Sequence, residues 1–302
     1  MYRVCAIVLN YNGFEDTIVC VNSLLKATYK YLDIVIVDNG SNNNSVEKLS
    51  QKFPKLEIIV AKKNLGYAGG MNLGIRFALQ KNYDFVLILN NDTEVTNNFL
   101  EPMLKVFEEN SNIGIASPKV GLFDRREIIY CAGAEINFFL CGGIAQYKGK
   151  NMHAYANENR FISMAEGCCL LVKKEVFEEV GLFDEKFFLY FEEVEFSERV
   201  IEKFKIVYVH NSIIYHKSGG GLGWSNYSPL YYYYYTRNRF IFFKDKSILI
   251  KLYVFIFALL NTIGKWLVIK FKYSSTEKNM KRVKEAQKSL LSGFSEGLKN
   301  FF

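Results

Sequence analysis

Four short runs of apolar residues in the first third of the chain most constrain the fold. They occupy residues 4–9, 34–37, 56–61 and 85–89, and stretches with apolar residues at helical spacing separate them. Runs of this length that alternate with helices form βαβ units with right-handed crossovers and a parallel sheet covered on both faces. The sequence therefore predicts an α/β fold around a parallel sheet.

Each of these runs ends in a polar or glycine-rich turn, beginning at Asn10, Asp38, Asn64 and Asn90. The carboxyl ends of parallel strands lie along one edge of the sheet, and open α/β sheets bind ligands in the crevice outside that edge. Asn, Asp and Gly are also ordinary turn residues. The ordinary preference of these residues for turns explains one or two of the four turns well, but it explains all four less well. We therefore predict that the four turns share a ligand-binding edge.

The fourth run leads into Asn90, Asn91 and Asp92, three oxygen-bearing side chains. Asp92 is a hard anionic ligand suited to Mg²⁺ or Mn²⁺ that carries a phosphate. A polar turn that closes a core strand is the alternative. His216, which precedes the glycines at 219–221, could supply an imidazole to the same cation, although a lone histidine before a loop is more often a satisfied surface residue.

Three carboxylates, Glu192, Glu193 and Glu195, open a predicted helix that continues to about residue 203. The helix macrodipole favours acids in a first turn, and pairing with Arg199 at i,i+4 explains Glu195. Glu193 lies about 100° around the helix from Glu192, so it can face a different neighbour. A carboxylate held ionised at a helix N-terminus is suited to act as a general base.

The basic excess of the chain lies in its C-terminal part. The net charge is +7, yet residues 244–302 contain twelve Lys or Arg against four acids. Thirteen uncharged residues, 252–264, lie between Lys251 and Lys265 and are shorter than the roughly 20 that a spanning helix needs. This pattern predicts a basic amphipathic tail at 236–302 that lies on an anionic membrane surface or packs on the domain at 1–235, and it disfavours a nucleic-acid groove.

Six cysteines show no regular spacing and no CxxC motif, so neither a disulfide framework nor a zinc site is expected, and a reducing compartment fits best. The first apolar run is too short for a signal peptide. We expect a cytoplasmic protein, peripheral on the inner face of the cell membrane.

Taken together, these residues resemble the family 2 nucleotide-sugar glycosyltransferases of the GT-A fold, in particular bacterial rhamnosyltransferase-like members. The resemblance spans roughly residues 3–240. It implies a Rossmann-like, mostly parallel central sheet with helices on both faces, followed by C-terminal amphipathic helices. The matching motifs, in chain order, are residues 7–13, 36–41, 64–72, 89–93, 166–167, 181–184 and 191–195, and His216.

The resemblance also implies a role for each matching position. Glu193 would be the catalytic base, and Asp92 with His216 would hold Mg²⁺ or Mn²⁺. Gly167 and Glu192 would lie on the acceptor side. The residues implied on the donor nucleotide-sugar side are Asn10, Tyr11, Asp38, Asn64, Gly66, Gly70, Asn72, Asn90 and Asn91.

Three positions depart from the usual family pattern. Asn90 stands where the first Asp of the metal motif is usual, and it is a neutral, weaker ligand. Glu193 and Glu195 stand where Asp is more frequent, which keeps the charge and extends the reach by one methylene.

The function implied is inverting transfer of a sugar from a nucleoside-diphosphate donor to a hydroxyl of a glycan or polyprenyl-linked acceptor in bacterial surface polysaccharide assembly. The resemblance favours rhamnose from a dTDP donor as the transferred sugar, followed by UDP-linked galactose or N-acetylhexosamines. A sugar nucleotidyltransferase is disfavoured because residues 10–13 contain no Lys or Arg. A non-catalytic nucleotide-sugar-binding subunit of an assembly complex stays as the alternative, and homo-oligomerisation is left open.

Overall fold

The computed structural model describes residues 1–217, 228–273, 277–299 and 301–302; side chains at 272–280 are not considered, and the glycines at 219–221 lie outside the described residues. The first part of the chain alternates strands and helices as predicted. Its elements are β1 (Val4–Asn10), α1 (Phe14–Leu24), β2 (Leu32–Asp38), α2 (Ser45–Lys52), β3 (Glu57–Val60), α3 (Gly66–Gln80) and β4 (Phe85–Asn90).

These four strands form the parallel half of a larger sheet, in the order β4-β1-β2-β3. Every residue of β1 is buried, which agrees with its uninterrupted apolar sequence. The predicted parallel sheet is confirmed, and its carboxyl ends bring the turns after β1, β2 and β4 to one edge.

The chain then adds β5 (Thr93–Val95), α4 (Leu100–Glu109) and β6 (Ile113–Leu122), followed by short strands up to residue 162. The short strands, predicted as an irregular region, are β7 (Ile129–Ala132), β8 (Ala134–Asn137), β9 (Gly142–Ala145) and β10 (Arg160–Ile162). The last elements of this half are β11 (Cys169–Lys173), α5 (Lys174–Val180), α6 (Glu192–Ile201) and β12 (Lys205–His216).

The second half makes the sheet mixed. β11 runs antiparallel between β4 and β6, and β12 runs parallel to β6. The sequence predicts two strands at 207–209 and 212–215, whereas β12 is one strand with a register irregularity between Val209 and Ile213. The polar residues at 210–212 sit in that irregularity, which explains why the hydrophobic pattern breaks there.

Helices cover both faces of the sheet, as expected. Ile7 of β1 lies beneath Gly74 of α3, where an added Cβ would approach its methyl group to 2.5 Å. On the other face the ring of Phe85 packs against Phe107 of α4 at 4.6 Å. Since residues of opposite parity along the strands point to opposite faces, these contacts place α3 and α4 on different sides.

The sequence predicts a helix over about residues 70–81, whereas helix α3 begins at Gly66. The side-chain oxygen of Asn64 accepts a hydrogen bond from the Gly66 backbone N–H at 2.8 Å. This bond satisfies an N–H at the start of the helix, and Gly66 adopts φ +75°, so the turn closes within two residues. Gly70 and Asn72 therefore lie within the helix rather than in a loop.

The described chain divides into two compact units. The first comprises residues 1–136, 144–185 and 192–218. The second contains Asn137–Gly143, Lys186–Phe191 and residues 219–302, of which the described helices are α7 (Pro229–Phe242), α8 (Ile248–Tyr273) and α9 (Glu277–Leu298). The boundary predicted near residue 235 falls inside α7. The second unit is discontinuous in sequence, since two mid-chain segments pack with the C-terminal helices: Phe138 contacts Phe243, and Phe191 contacts Phe242.

Helix α8 is longer than its uncharged core. Residues 248–271 are long and apolar enough to cross a membrane by length and composition. One face is buried within the second unit at Val254, Ala258 and Ile269, while the opposite face is exposed. Helix α8 continues through Lys265, whose side-chain nitrogen lies 5.3 Å from the centroid of the Tyr235 ring.

Candidate active site

The ends of β1 and β2 form one hydrogen-bonded network. Asn10 and Asp38 are paired in register and both are fully buried. The Asn10 side-chain amide donates to Asp38 at 2.7 Å, and the Ser41 hydroxyl and backbone N–H donate to the two Asp38 oxygens at 2.8 and 2.9 Å. The carboxylate is therefore held in one orientation, while the neighbouring Tyr11 is 46% exposed and able to stack on a ligand.

Asn39, which the sequence reading did not single out, fixes the third turn to this edge. Its side-chain N–H₂ donates to the Asn64 side chain at 3.1 Å and to the Gly66 carbonyl at 2.8 Å, and its oxygen accepts from the Leu65 N–H at 3.0 Å. The only sequence signal was its place immediately after Asp38. The structure thus brings Asn64 and Gly66 next to the end of β2.

Gly70 and Asn72 contact the protein itself. A Cβ at Gly70 would lie 2.6 Å from a Leu9 methyl group, so glycine permits the close approach of α3 to β1. Asn72 is 1% exposed, and its amide donates to the Phe183 carbonyl at 2.9 Å and to Glu185 at 3.0 Å. These contacts position α3, and the donor-binding role implied for the two residues stays a prediction.

The structure brings Asp92 and His216 together. His216 is opposite Thr93 in the β5–β12 ladder, and its Nε2 lies 3.0 Å from Asp92 Oδ1. Adjacent ligands of an octahedral Mg²⁺ or Mn²⁺ at 2.1 Å are about 3 Å apart, so the two atoms fit neighbouring positions around one such ion. The residues present therefore suit the metal that the family resemblance implies.

The side chains of Asn90 and Asn91, at the same turn as Asp92, limit which further protein ligands the metal could have. Asn90 Oδ1 is buried and has no hydrogen-bond partner among the described residues, whereas the Asn91 amide donates to Thr17 at 2.9 Å and to the Gly13 carbonyl at 3.2 Å. Within the described parts of the chain no three His, Cys, Asp or Glu side chains converge on one point. Mg²⁺ commonly takes one or two carboxylates and completes its shell with phosphate oxygens and water, which matches this arrangement.

Glu193 lies in the first turn of α6, beside Gly167. A Cβ added at Gly167 would be 3.6 Å from the Glu193 Cβ and Cγ, which is van der Waals contact. The Tyr67 hydroxyl donates to the Gly167 carbonyl at 2.6 Å, and the next carbonyl, of Cys168, accepts from the Asn90 N–H at 3.0 Å. Residues 167–168 therefore connect the predicted base to the predicted metal turn.

The two adjacent carboxyl groups differ in environment. Glu192 is 5% exposed, and burial, followed by the nearby charge of Glu193, raises its pKa well above the usual range. Burial and then the same two acids raise the pKa of Tyr67. A carboxyl group kept protonated beside a second one is a recurrent arrangement in acid–base sites, because it can donate a hydrogen bond.

Glu195 has a structural role, as the sequence predicted. Its carboxylate makes two hydrogen bonds with Arg199, at 2.5 and 2.8 Å, and Arg199 also donates to the carbonyls of Val180 and Leu182. The pair ties α6 to the end of α5.

Glu166 is a further buried acid near the histidine, and sequence reasoning assigned it no chemistry. Burial raises its pKa, opposed by the charge of His216 and by hydrogen bonds with Cys131 and Tyr130. The Tyr130 ring lies edge-on to the His216 ring at 5.2 Å, and within the part of the chain that the structure describes the buried His216 Nδ1 has no hydrogen-bond partner. The available signal was an acid immediately before Gly167 at the start of an apolar strand.

Comparison with protein families finds one match. A model of the family described as "Glycosyl transferase family 2" matches residues 5–181, more than half of the chain. The matched range contains the ends of β1, β2 and β4 and the segment at 166–167.

Curated relatives carry glycosyltransferase names. The chain is 28% identical over 194 residues to the low-salt glycan biosynthesis hexosyltransferase Agl10 of Haloferax volcanii, covering 64% of this chain and 60% of that protein. It is 25% identical to the dTDP-rhamnosyl transferase RfbF of Shigella flexneri, covering 86% and 87%. It is 24% identical to the N-acetylglucosaminyl-diphospho-decaprenol L-rhamnosyltransferase of Mycobacterium tuberculosis, covering 74% and 78%.

Solved structures share the fold. GalNAc-T7 with UDP, GalNAc and Mn²⁺ superposes with a TM-score of 0.61 at 18% identity, covering 81% of this chain and 50% of that one. The mannosyltransferase PcManGT from Pyrobaculum calidifontis, in complex with GDP-Man and Mn²⁺, gives 0.58 at 12% identity, covering 99% and 87%. The mixed central sheet with flanking helices is thus the GT-A-type fold that the sequence predicted.

Proposed function

Because this chain belongs to glycosyl transferase family 2, we propose that it is a metal-dependent, inverting glycosyltransferase that moves a hexose from a nucleoside-diphosphate donor to a hydroxyl of a glycan or lipid-linked acceptor. The observation that carries the proposal is the pairing of Asp92 with His216 at the carboxyl edge of a GT-A-type sheet, at a separation that suits one divalent cation. We favour rhamnose from a dTDP donor, and bacterial surface polysaccharide as the product, because RfbF, matched along most of its length, is a dTDP-rhamnosyl transferase.

On the donor side, the network at the ends of β1 and β2 would bind the nucleoside. Asp38 is held in one orientation by Asn10 and Ser41 and would accept a hydrogen bond from a base N–H once the ligand displaces part of this network, and the exposed ring of Tyr11 would stack beside it. The Asn64–Gly66 turn would lie along the ribose, diphosphate or sugar. A site whose hydrogen bonds are already formed loses little ordering entropy on binding.

Asp92 and His216 would hold the cation, with the unpartnered Asn90 oxygen at the same turn. A bound Mg²⁺ or Mn²⁺ supplies charge neutralisation for the leaving diphosphate, which removes the need for a protein acid. Asn90 is neutral, and two charged or basic side chains are few for tight binding. We therefore expect the metal to bind much more tightly together with the nucleoside diphosphate than alone.

On the acceptor side, Glu193 would accept the proton of the attacking hydroxyl. The hydroxyl oxygen forms a bond to the anomeric carbon while the bond from that carbon to the diphosphate oxygen breaks on the opposite face, so the configuration inverts. Glu192, kept neutral by burial and by Glu193, would donate a hydrogen bond to the acceptor or to the base. Gly167, in contact with Glu193, leaves space beside the base.

The test is transfer activity with a panel of nucleotide sugars and a lipid-linked acceptor, with and without Mn²⁺. We expect Glu193→Gln to lower kcat by at least about 100-fold, consistent with loss of a general base. Glu195→Gln is the matched control, because that carboxylate is bound to Arg199. Metal-dependent donor binding without turnover by the wild-type chain on any acceptor would favour the alternative, a non-catalytic nucleotide-sugar-binding subunit.

We further propose that the protein is peripheral on the inner face of the cell membrane through one surface of the second unit. The exposed face of α8 carries an apolar stripe about 33 Å long at 1.5 Å per residue. The exposed segment 138–140 adjoins it, since the Tyr253 hydroxyl donates to the Phe139 carbonyl at 2.7 Å. The stripe consists of Leu249, Leu252, Tyr253, Ile256, Leu260, Ile263, Leu267 and Phe271.

Two features favour an in-plane orientation on an anionic bilayer over a spanning one. The opposite face of α8 is buried within its own unit, so only one face is free to meet lipid. Residues 244–302 contain eight more Lys and Arg than acids, and a basic surface complements anionic headgroups.

Vesicle flotation tests this surface. Phosphatidylglycerol vesicles should bind the chain and neutral phosphatidylcholine vesicles should bind it poorly. Leu260→Glu and Phe139→Glu should weaken binding at least about fivefold, since each places a charge at the apolar face. Val60→Glu, at an exposed apolar position of the first unit, is the control. Equal binding by all four proteins would contradict the proposal, and so would a stable dimer that covers the stripe.

A further inference from the structure

The segment Lys186–Phe191 leads directly into α6 and has an unusual backbone. Phe188, Tyr190 and Phe191 adopt φ values of +39°, +67° and +75°. Residues with bulky side chains avoid this left-handed region and occupy it only where surrounding groups hold them there. The next residue begins α6, and the residue after it is the proposed base Glu193. The conformation of this segment therefore sets the position at which the base enters the helix.

A buried amide of α7 holds three carbonyl groups of the segment, and the neighbouring Arg237 donates to a fourth, that of Lys186. The Asn238 side-chain N–H₂ lies 2.9, 2.9 and 2.6 Å from the carbonyl oxygens of Phe187, Leu189 and Tyr190. An amide has two hydrogens, so three acceptors at these distances require one hydrogen to be shared. The Asn238 oxygen in turn accepts from the Arg237 guanidinium at 2.9 Å, and Asn238 is fully buried.

Aromatic rings of α7 cover the same segment but act differently. They fix side chains through three ring pairs with centroids 5.0 to 5.2 Å apart: Phe188 with Tyr234, Phe191 with Tyr235, and Tyr190 with Tyr231. Ring contacts tolerate rotation of the peptide groups, whereas hydrogen bonds to carbonyl oxygens do not. Arg237 bonds only the first carbonyl of the segment, so the amide of Asn238 is the group that specifies the backbone direction next to the left-handed residues.

We propose that Asn238 is a positioning residue for catalysis, which holds residues 186–191, three of them left-handed, in the conformation that places Glu193 at the acceptor hydroxyl. This inference rests on the proposed role of Glu193 as base. Asn238 is fully buried and its amide is bonded to this segment, so its loss should change the chemical step and leave donor affinity unchanged.

The experiment compares kcat, donor KM and donor affinity of the full chain and of Asn238→Ala. We expect kcat to fall by about 10- to 100-fold, as a displacement near 1 Å at a reacting group produces, with donor KM and affinity within about twofold of wild type. The control is Phe240→Leu on the same helix, whose ring packs on Phe294 and Phe301. That variant should lower thermal stability and keep kcat.

A lower melting temperature with wild-type kcat in folded Asn238→Ala would overturn the inference, and so would a change confined to donor KM. If Asn238→Ala does not fold, Phe188→Gly at a half-buried position loosens the same segment. The same loss confined to kcat is expected there, and unchanged kcat would overturn the inference. Glu193→Gln separates the two levels: full activity in that variant refutes the base itself, whereas its inactivity combined with normal kcat in Asn238→Ala refutes only the role of Asn238.

Discussion

Replacing Glu192 with glutamine tests whether this acid is protonated in the folded protein. Burial and the adjacent Glu193 raise the pKa of Glu192 well above its ordinary value of 4.5. Above pH 5 the unfolded chain has lost the Glu192 proton while the folded chain keeps it. The unfolded state then binds one proton fewer, so the wild-type free energy of unfolding falls as pH rises.

The size of the effect follows from that difference of one proton. The free energy of unfolding of wild type, relative to Glu192→Gln, should fall by about 1.4 kcal/mol per pH unit up to the folded-state pKa. Glutamine keeps the shape of a protonated carboxyl group and does not titrate.

Urea unfolding followed by far-UV circular dichroism, at intervals between pH 5 and pH 8 with EDTA present, measures this slope. Repeating the comparison in a Glu193→Gln background removes the second cause of the raised pKa, so the slope should end at a lower pH. A stability difference between wild type and Glu192→Gln that stays constant with pH would show that Glu192 ionises normally and would refute the reasoning.

Three further outcomes are expected. Asp92→Ala should weaken Mn²⁺ binding at least about tenfold in the presence of nucleoside diphosphate, because it removes the only carboxylate proposed as a ligand. Electron paramagnetic resonance titration measures this affinity, and an unchanged value would show that the metal binds at a different site. Gly70→Ala should destabilise the fold by about 1–3 kcal/mol, since its Cβ would lie 2.6 Å from a methyl group of β1. Gly264→Ala should stabilise α8 by about 0.5–1 kcal/mol, because among the described residues an added Cβ would meet nothing within 4 Å outside the adjacent helix backbone. Denaturant midpoints for both variants test the packing. Lys119→Met should lower the free energy of unfolding by about 2–4 kcal/mol, because this buried ammonium donates to two carbonyls and an amide oxygen within residues 152–157. A loss below about 0.5 kcal/mol would mean that residues 152–157 bind other donors.

Much of the fold could be read from the sequence because local patterns determine it. The apolar runs at β1 and β4 are buried on both faces, and their polar ends mark the binding edge directly. The pairing of Asp92 with His216 was also predictable, since the family resemblance places both at the metal. The structure adds the distance of 3.0 Å that makes one cation fit both atoms.

Other features depend on contacts between distant residues, which no local pattern reports. Glu166 looks like an acid before a strand, and only the fold places it near His216. Asn238 sits in a tyrosine-rich helix, 47 positions after the nearest end of the segment whose carbonyls it holds. Helix α3 starts at Gly66 because of Asn39 and Asn64, although the glycine content of 66–70 argues for a loop.

The second unit is built from separate segments of the chain, and this limits how the protein can be truncated or combined with a relative. Its helices α7 to α9 are continuous in the chain, yet they pack with Asn137–Gly143 and Lys186–Phe191 from the middle of the sequence. Shortening the chain near residue 239 would remove the helices that pack on α7, which carries Asn238. A chimera that exchanges the C-terminal helices with those of a relative must therefore also exchange residues 137–143 and 186–191. Otherwise the segment before Glu193 will pack on a helix that lacks the matching side chains.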